Sequence, residues 1–320
     1  MIVKLGYVAM SVELQNASPS QTMTFAQFSK IKDREAAIRK LERTAASNID
    51  NCLRLLKHNV GNQIHFFRLS SRLIPLANHE GLLEWDYMKP LKDSLKKVGD
   101  YLKVHPMRID FHPDHFVVLN TPNKEILTNA LKTLLMHREL LKGMGIDTEH
   151  RCVLHVGGGY EDKEMALEQF IHNWGYIQPA IQKMIMLEND DTTFTVKETL
   201  YLCEKLGVPM VFDYHHHLAN HEVKEWQEDW ERIVNTWKAS PLPIKMHISS
   251  PRSAKEYRAH ADFVDPEILL EFLYAIKETV PEVHCMIEAK QKDAALFQMM
   301  RDLQGRKGIS LIDHSSFTVE

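Results

Sequence analysis

Histidine and carboxylate side chains crowd one short stretch, Gly207 to His217, which reads Gly-Val-Pro-Met-Val-Phe-Asp-Tyr-His-His-His. The apolar run at 209–212 follows a glycine and includes a proline, which predicts a short buried strand. That strand ends in Asp213 and three histidines. Neutral imidazole nitrogen and carboxylate oxygen are the ligands that zinc-like and manganese-like ions accept. The stretch therefore predicts a metal site at the end of a strand.

The same pattern, an apolar run that ends in His, Asp or Glu, recurs along the whole chain. The candidate ligands at or just after predicted strand ends are His79, His112, His155, Glu188, Asp213, His216, His247, His260 and Glu288. One catalytic ion takes about three protein ligands. The set therefore predicts a cluster of two or three divalent ions, with some carboxylates bridging. Such clusters suit phosphoryl chemistry, because one ion generates hydroxide while others stabilise the leaving oxygen.

Each of these histidines, taken alone, is more often an ordinary polar residue than a metal ligand. Taken together they favour ligands, because every buried imidazole needs partners for two nitrogens. Five further histidines lie away from strand ends and are expected to have no such role: His58, His65, His105, His137 and His172. The glycines at 157–159 lack the Lys-Ser/Thr of a phosphate-binding loop and predict a close backbone approach instead.

Eight strand-like runs, each followed by a helix-like segment, would position these ligands. This alternation predicts an α/β fold with a parallel sheet and, at eight units, a closed (β/α)8 TIM barrel. The predicted strands are Lys4–Ala9, Ile64–Leu69, Met107–Phe111, Cys152–Val156, Met184–Leu187, Pro209–Phe212, Ile244–Ile248 and His284–Ala289. We expect one barrel domain over residues 1–305 and a polar, loosely held tail over 306–320. The carboxyl ends of all eight strands meet at one mouth, where active sites of such barrels are built.

Helix-like segments separate the predicted strands, and Glu35–Asn59 shows the clearest spacing of apolar residues three or four apart. The predicted helices are Glu35–Asn59, Trp85–Lys103, a helix capped by Asn123 and running to Lys142, Glu164–Trp174, Thr195–Leu206, Glu222–Lys238, Pro266–Val280 and Ala294–Leu303. The tryptophans Trp226, Trp230 and Trp237 share one helix. We expect them to pack against the barrel rather than to stack on bases.

The composition is that of an ordinary soluble globular protein, with 44% hydrophobic and 26% charged residues among 320. No apolar run approaches the roughly 20 residues that cross a bilayer, and Met1 opens without a signal pattern. We therefore expect a cytosolic enzyme with no membrane partner and no obligate protein partner. Four scattered cysteines without a C-x-x-C pair argue against a zinc knuckle and a disulfide framework. A net charge of −4 means that any DNA partner must be held by a local basic face.

Short motifs spread from about Leu5 to Lys292 resemble the UV damage endonuclease family, in order and strand by strand. They are Leu5-Gly6-Tyr7, Ser70-Ser71 with Leu73-Ile74-Pro75 and His79, His112-Pro113, His155-Val156-Gly157-Gly158, Leu187-Glu188-Asn189-Asp190, Asp213 with His216, Lys245-x-His247, His260 and Ile287-Glu288-Ala289-Lys290. The resemblance is to bacterial members that lack long terminal extensions. It implies a TIM barrel related to endonuclease IV. It also implies an enzyme that nicks DNA immediately 5′ of cyclobutane dimers and 6-4 photoproducts, leaving a 3′-hydroxyl and a 5′-phosphate and starting excision repair.

The resemblance also implies a trinuclear metal site on the ligands named above, usually with Mn²⁺, while Zn²⁺ and Mg²⁺ stay open. Lys245 matches a lysine that relatives can carry in carboxylated form near the metals. Unmodified, it could steady the phosphate as a cation. Four residues are expected to be catalytic on this basis: Lys245, Glu188, Asp213 and His247.

Residues that would contact damaged double-stranded DNA follow from the same resemblance. His115-Phe116 stands where relatives place a Gln-Tyr pair that inserts into the duplex, and Phe116 can still stack. Ser11 replaces an Asn near the lesion pocket of some relatives, and Tyr7 is expected at that pocket. Basic residues expected to neutralise phosphates are Arg68, Arg72, Arg252, Lys255, Arg258, Lys290 and Lys292.

Three other functions stay open from the sequence alone. An apurinic-site endonuclease or a metal-dependent sugar isomerase can use the same barrel, and an isomerase would need fewer ions. A lesion sensor with purely structural metals would bind damaged DNA without cutting it. Preference among photoproducts, the lysine modification and the oligomeric state also stay open.

Overall fold

Eight parallel strands form a nearly closed barrel at the centre of the chain, in a computed structural model that describes residues 1–320. The strands are β1 Ile2–Val8, β2 Phe66–Arg68, β3 Arg108–Asp110, β4 Cys152–His155, β5 Ile185–Glu188, β6 Met210–Asp213, β7 Ile244–Ile248 and β8 Glu282–Ile287. They run in the order β3-β2-β1-β8-β7-β6-β5-β4. A parallel bridge between Phe111 and Cys152 joins the two ends of this order. The predicted TIM barrel is confirmed.

Helices connect consecutive strands and surround the barrel. They are α1 Phe25–Ser29, α2 Arg34–Gly61, α3 Met88–Val104, α4 Lys124–Gly143, α5 Lys163–Trp174, α6 Pro179–Gln182, α7 Val196–Leu206, α8 Tyr214–Ala219, α9 Gln227–Thr236, α10 Pro266–Ile276 and α11 Lys292–Leu303. Asn123 caps α4 by accepting hydrogen bonds from the Glu125 and Ile126 amides, as predicted. Pro266 is the first residue of α10, also as predicted. Every helix is too short or too polar to span a lipid bilayer.

The barrel strands are buried on both faces, as parallel strands between side chains of the interior and an outer layer of helices must be. All residues of β5, β6 and β7 are buried. Outside β6, Trp226 and Phe272 pack with ring centroids 4.8 Å apart, and Phe212 lies against the same group. Trp237 donates a hydrogen bond to the Met210 carbonyl at 2.6 Å. The tryptophans therefore pack against the barrel, as predicted.

Two helical segments differ from the sequence prediction. The histidine-rich stretch after β6 turns at once into the short helix α8, which the apolar pattern did not indicate. The Asp213 side chain starts this helix by accepting a hydrogen bond from the His216 amide at 2.7 Å. The predicted helix Glu222–Lys238 begins later, at Gln227, and ends at Thr236.

The last fifteen residues are firmly attached to the barrel, so the expectation of a loosely held tail was wrong. Strands β9 Ile309–Leu311 and β10 Ser316–Val319 form a hairpin, and β10 pairs antiparallel with β1 at Val3 and Phe317. β2 pairs only with Tyr7 and Val8 of β1, which leaves the first half of β1 with an open edge. β10 covers that edge, and a polar composition gave no sign of it.

The glycines after β4 allow a close backbone approach, as predicted. Gly157 has a φ of +123°, and a Cβ there would lie 2.2 Å from Asn120 Oδ1. Asn120 donates a hydrogen bond to the Gly158 carbonyl at 2.6 Å. The Asn120 side chain therefore occupies the space beside the turn, which would exclude a side chain at position 157.

Candidate active site

Glu188, the last residue of β5, lies at the centre of a group of histidines at the barrel mouth. It is fully buried. His247 Nδ1 lies 2.6 Å from Glu188 Oε1, and His112 Nε2 lies 2.7 Å from Oε2. His155 and His216 have ring nitrogens 3.7 Å from the same carboxylate. One carboxylate therefore contacts or approaches imidazoles from four separate parts of the chain.

Asp213 and Glu288 extend this group on the side of β6 to β8. Asp213 Oδ2 lies 3.5 Å from His216 Nδ1 and 3.9 Å from His247 Nδ1. Glu288 lies 3.3 Å from His247 Nδ1 and 3.8 Å from His260 Nδ1. The structure thus brings together eight of the nine predicted ligands: His112, His155, Glu188, Asp213, His216, His247, His260 and Glu288.

Strand register explains why residues so distant in sequence meet here. His155 is the register partner of Glu188 between β4 and β5, and Asp213 is the partner of His247 between β6 and β7. Adjacent parallel strands that end at the same level place their last side chains next to each other. His216 reaches the group from the first turn of α8.

The donor atoms form three groups that share Glu188. Within each group the potential ligand atoms lie within 4.8 Å of one another. The groups are His112, His155 and Glu188; Glu188, Asp213 and His216; and Glu188, His247 and Glu288. His155 Nδ1, Asp213 Oδ2 and His247 Nε2 are buried without any hydrogen-bond partner. Imidazole and carboxylate donors left unpaired in this way fit divalent transition-metal ions.

The electrostatics of the group also suit cations. Burial lowers the pKa of His112 and of His155 to about 3, so both imidazoles are neutral and can offer a lone pair. Burial raises the pKa of Glu188 well above its usual range. The pKa of His216 is raised, unlike those of His112 and His155. Burial would lower it, but Asp213 and Glu188 raise it to about 9. Nearby carboxylates therefore stabilise a positive charge at this position.

His79 lies outside this group. Its ring stacks on Phe25 at 3.9 Å between centroids, and Nδ1 accepts a hydrogen bond from the Gly81 amide at 3.1 Å. It lines a cleft of about 590 Å³ together with Arg72 and Phe116. Neither His79 nor His260 belongs to the three closely spaced donor groups. Their roles as ligands stay predictions.

Lys245 lies beneath the group, where it is paired rather than free. Its amine donates a hydrogen bond to Asp110 Oδ2 at 2.9 Å, and both side chains are fully buried. Burial lowers the pKa of Lys245 to about 8, although Asp110 opposes that change. In this structure the amine has no access to a phosphate at the mouth. Asp110, the last residue of β3, was missed from the sequence because its partner lies 135 residues away.

Arg68, the last residue of β2, is the cation in closest contact with the group. Its Nη1 atom donates a hydrogen bond to Glu288 Oε1. Although burial opposes the change, Arg68 holds the pKa of Glu288 well below its usual range. The sequence placed Arg68 among the basic residues at the mouth but did not indicate this contact.

The predicted DNA contacts divide into exposed and buried residues. Phe116 has 64% of its surface exposed. The exposed polar members are His115, Arg72, Arg252, Lys255, Arg258 and Lys290, whereas Lys292 is half-buried. Arg72 pairs with Asp114 at 3.1 Å and Arg252 with Glu256 at 3.1 Å.

Tyr7 and Ser11 are not open to a base in this structure. Tyr7 is fully buried, and its hydroxyl donates to Asn59 Oδ1 at 2.6 Å. The Ser11 hydroxyl donates to Asp293. Direct contact of either side chain with a lesion would first require these hydrogen bonds to break.

Comparison with known proteins identifies the family of the chain. Residues 3–318 match the family described as UV-endonuclease UvdE. The chain belongs to this family. It is 53% identical over 317 residues to the UV DNA damage endonuclease of Halalkalibacterium halodurans, covering 99% of this chain and 98% of that protein. It is 39% identical over 312 residues to the UV DNA damage endonuclease of Bacillus cereus, covering 98% of each chain.

Solved structures of related proteins share the barrel fold. The crystal structure of SacUVDE superposes with a TM-score of 0.80 at 29% identity, covering 92% of this chain and 95% of that one. Endonuclease IV from Thermus thermophilus superposes with a TM-score of 0.52 at 11% identity, covering 93% and 98%. The second likeness concerns the barrel fold alone. Within the UV-endonuclease family, this chain therefore has the expected barrel and a histidine and carboxylate group at its mouth.

Proposed function

We propose that the chain is a metal-dependent DNA repair endonuclease that nicks the phosphodiester bond immediately 5′ of UV photoproducts, both cyclobutane pyrimidine dimers and 6-4 photoproducts. The products would be a 3′-hydroxyl and a 5′-phosphate. The observation that carries the proposal is the position of Glu188, one buried carboxylate shared by three donor groups. Family membership and relatives named UV DNA damage endonucleases support the substrate.

The metal site would consist of the eight grouped residues with His79 as a ninth ligand. This site would hold two or three divalent ions, preferably Mn²⁺, with Zn²⁺ or Mg²⁺ as alternatives. The ions would activate water and neutralise charge on the scissile phosphate. Neutral His112 and His155 offer lone pairs, and Glu188 offers an oxygen to each donor group. Arg68 orients Glu288, and Lys245 balances negative charge from below through Asp110. Glu188, Asp213 and His247 are the proposed catalytic set. Lys245, expected to be catalytic from the sequence, would act only as a positioning residue, because its amine is buried on Asp110.

The exposed face around the mouth would bind the damaged duplex. Phe116 is exposed beside a cleft and could enter the base stack, with His115 offering a hydrogen bond. Arg72, Arg252, Lys255 and Lys290 would contact phosphates. Extrusion of a photoproduct costs less than extrusion of normal bases, because a damaged pair already stacks and pairs poorly.

The decisive experiment uses an end-labelled duplex with one cyclobutane dimer at a defined position. We expect Mn²⁺ to support one nick immediately 5′ of the dimer, with a 3′ end that a polymerase extends. Exhaustive chelation should abolish the nick, and readdition of Mn²⁺ should restore it. An undamaged duplex of the same sequence is the control. Nicking that persists after chelation, or a cut on the 3′ side, would contradict the proposal.

The same assay decides among the alternatives. A duplex with one abasic site, cut faster than the photodimer duplex, would favour an apurinic-site endonuclease. Binding of the photodimer duplex without strand scission would indicate a sensor. Turnover of a free ketose with no action on DNA would indicate a sugar isomerase.

A further inference from the structure

Asp293 is a fully buried carboxylate outside the metal group, in the first turn of α11. Oδ1 accepts hydrogen bonds from the Val12 amide at 2.9 Å and the Ala294 amide at 3.1 Å. Oδ2 accepts from the Ser11 hydroxyl, and His58 Nε2 lies 3.0 Å from it. Both oxygens are therefore occupied by protein groups. Three of these partners come from parts of the chain more than 200 residues away.

The contacts join two loops that lie side by side at the mouth. β1 and β8 are paired, with Tyr7 opposite Ile287, so the segments after these strands begin next to each other. The segment after β8 carries Glu288 and leads directly into Asp293. The segment after β1 carries Ser11 and Val12. Asp293 thus connects the loop after β1 to the segment that holds a proposed metal ligand.

Ser11 organises its own loop through the same hydroxyl. Its Oγ atom accepts hydrogen bonds from the Glu13 amide at 3.0 Å and the Leu14 amide at 2.8 Å while it donates to Asp293. The loop holds Val12 with 47% of its surface exposed at the mouth. The Ser11 hydroxyl is fully used within the protein, so it shapes the loop rather than contacting a ligand.

The backbone on both sides indicates that these hydrogen bonds impose one conformation. Ala9, before the loop, has a φ of +63°, and Lys292, before Asp293, has a φ of +50°. Left-handed backbone at residues other than glycine costs free energy and persists only where surrounding contacts require it. The arrangement therefore favours one defined loop position over maximal stability.

A fourth metal site is the other explanation for this cluster. Atoms of Glu13, His58 and Asp293 lie within 4.8 Å of one another. Both Asp293 oxygens, however, already accept hydrogen bonds, whereas Asp213 Oδ2 in the proposed metal group has no partner. Satisfied oxygens favour a structural connection over an ion.

We propose that Asp293 is a positioning residue that, through Ser11, holds the loop 11–14 in the position that damaged DNA requires at the mouth. The inference rests on the proposed function. Asp293 acts on the recognition of damaged duplex and leaves the metal group unchanged. Loss of the connection would release the loop, so damaged duplex would bind more weakly while the chemical step stays the same.

The test combines Asp293→Asn, Ser11→Ala, the double variant and Ser11→Thr. Loss of one hydrogen bond to a charged group should raise KM for the photodimer duplex about tenfold. kcat and bound metal should match the wild type. The double variant should lose less than the sum of the two single losses, because both changes break the connection between Ser11 and Asp293. Ser11→Ala also removes the acceptor for the Glu13 and Leu14 amides. Ser11→Thr keeps the hydroxyl, so its KM should equal that of the wild type. Asp302→Asn, on the same helix, is the matched control.

Affinity for the photodimer duplex, measured by fluorescence anisotropy in chelator, separates this inference from the proposed function. Weaker binding by Ser11→Ala, but not by Ser11→Thr, supports the positioning role even if the wild type cuts nothing. Any of three results would overturn the positioning role of Asp293. They are additive losses in the double variant, lower metal content in Asp293→Asn, and unchanged KM and affinity in Ser11→Ala. If Asp293→Asn fails to fold, the comparison of Ser11→Ala with Ser11→Thr still tests the positioning role.

Discussion

Both ends of the barrel hold histidine and carboxylate side chains in contact, but their surroundings differ. At the end opposite the mouth, Glu282 accepts a hydrogen bond from His284 Nε2 at 2.7 Å and pairs with Lys4 at 2.8 Å. Arg108 lies 3.0 Å from His284 Nδ1. At the mouth, donor atoms of His155, Asp213 and His247 have no partner.

The unpaired atoms at the two ends also differ in chemistry. Opposite the mouth they include Arg108 Nε and Nη2, which belong to a cation packed against the rings of Phe66 and Trp237. Asp110 Oδ1 is also unpaired, but the other oxygen of this carboxylate pairs with Lys245 and lies 4.0 Å from Arg108 Nε. A guanidinium cannot bind a metal ion. At the mouth the unpaired atoms are imidazole nitrogens and a carboxylate oxygen. The presence of histidine and carboxylate therefore does not distinguish a metal site from a structural network. The mouth differs in that unpaired imidazole and carboxylate atoms are grouped around one shared carboxylate, Glu188.

The largest expected effect comes from removing the shared carboxylate. Glu188→Gln should reduce nicking of photodimer duplex on the order of a thousandfold and lower the bound metal, because the amide is uncharged and keeps only one oxygen for the three donor groups. Single-turnover nicking and elemental analysis measure the two effects. Glu282→Gln, at the opposite end, is the matched control and should leave both nearly unchanged. Equal losses in the two variants would remove the distinction between the ends.

The network opposite the mouth should instead affect stability in acid. Burial lowers the pKa of His284 to about 4, against about 6.5 in an unfolded chain. The unfolded state therefore binds the proton more readily, so stability present above pH 6.5 is lost as pH falls towards 4. The full contribution is about 3 kcal/mol.

Urea unfolding of metal-free protein between pH 4 and 7 measures this effect. His284→Gln cannot titrate, so its free energy of unfolding should fall less steeply with decreasing pH than that of the wild type. Parallel pH profiles for the two proteins would show that His284 is not the source.

The smallest expected effect tests the exposed rim of the mouth. Phe116→Ala should reduce kcat/KM for photodimer duplex about tenfold, since stacking of a base on an aromatic ring contributes roughly 1–3 kcal/mol. Bound metal should not change. Tyr176, which is also exposed, lies between α5 and α6, and Tyr176→Ala serves as the control. An unchanged kcat/KM for Phe116→Ala would exclude insertion of this ring into the duplex.

Local sequence patterns predicted the fold and much of the candidate site. Apolar runs that end in His, Asp or Glu predicted the barrel, and the convergence of strand ends then predicted the grouping around Glu188. Asp213 and His216 illustrate the limit of this reasoning. Both were named, but the helix that brings His216 back to Asp213 starts with a side-chain hydrogen bond that periodicity does not reveal.

Partners that are distant in sequence account for the rest. Lys245 was expected near the phosphate, yet its amine pairs with Asp110. Tyr7 was expected at the pocket, yet its ring is buried beside Phe67 and its hydroxyl donates a hydrogen bond to Asn59 of α2. Neither partner carries a local motif. Such pairs depend on the angle and level at which elements pack, which only the folded chain determines.

The pairing of β10 with β1 has a practical consequence for handling the protein. Met1 and Val319 exchange backbone hydrogen bonds at 3.1 and 2.9 Å, so both ends of the chain emerge together beside the start of β1. All eight barrel strands are parallel, and this side is therefore opposite the mouth. An affinity tag, a fluorophore or a surface attachment beside Met1 or Val319 would therefore leave the mouth free for a DNA duplex.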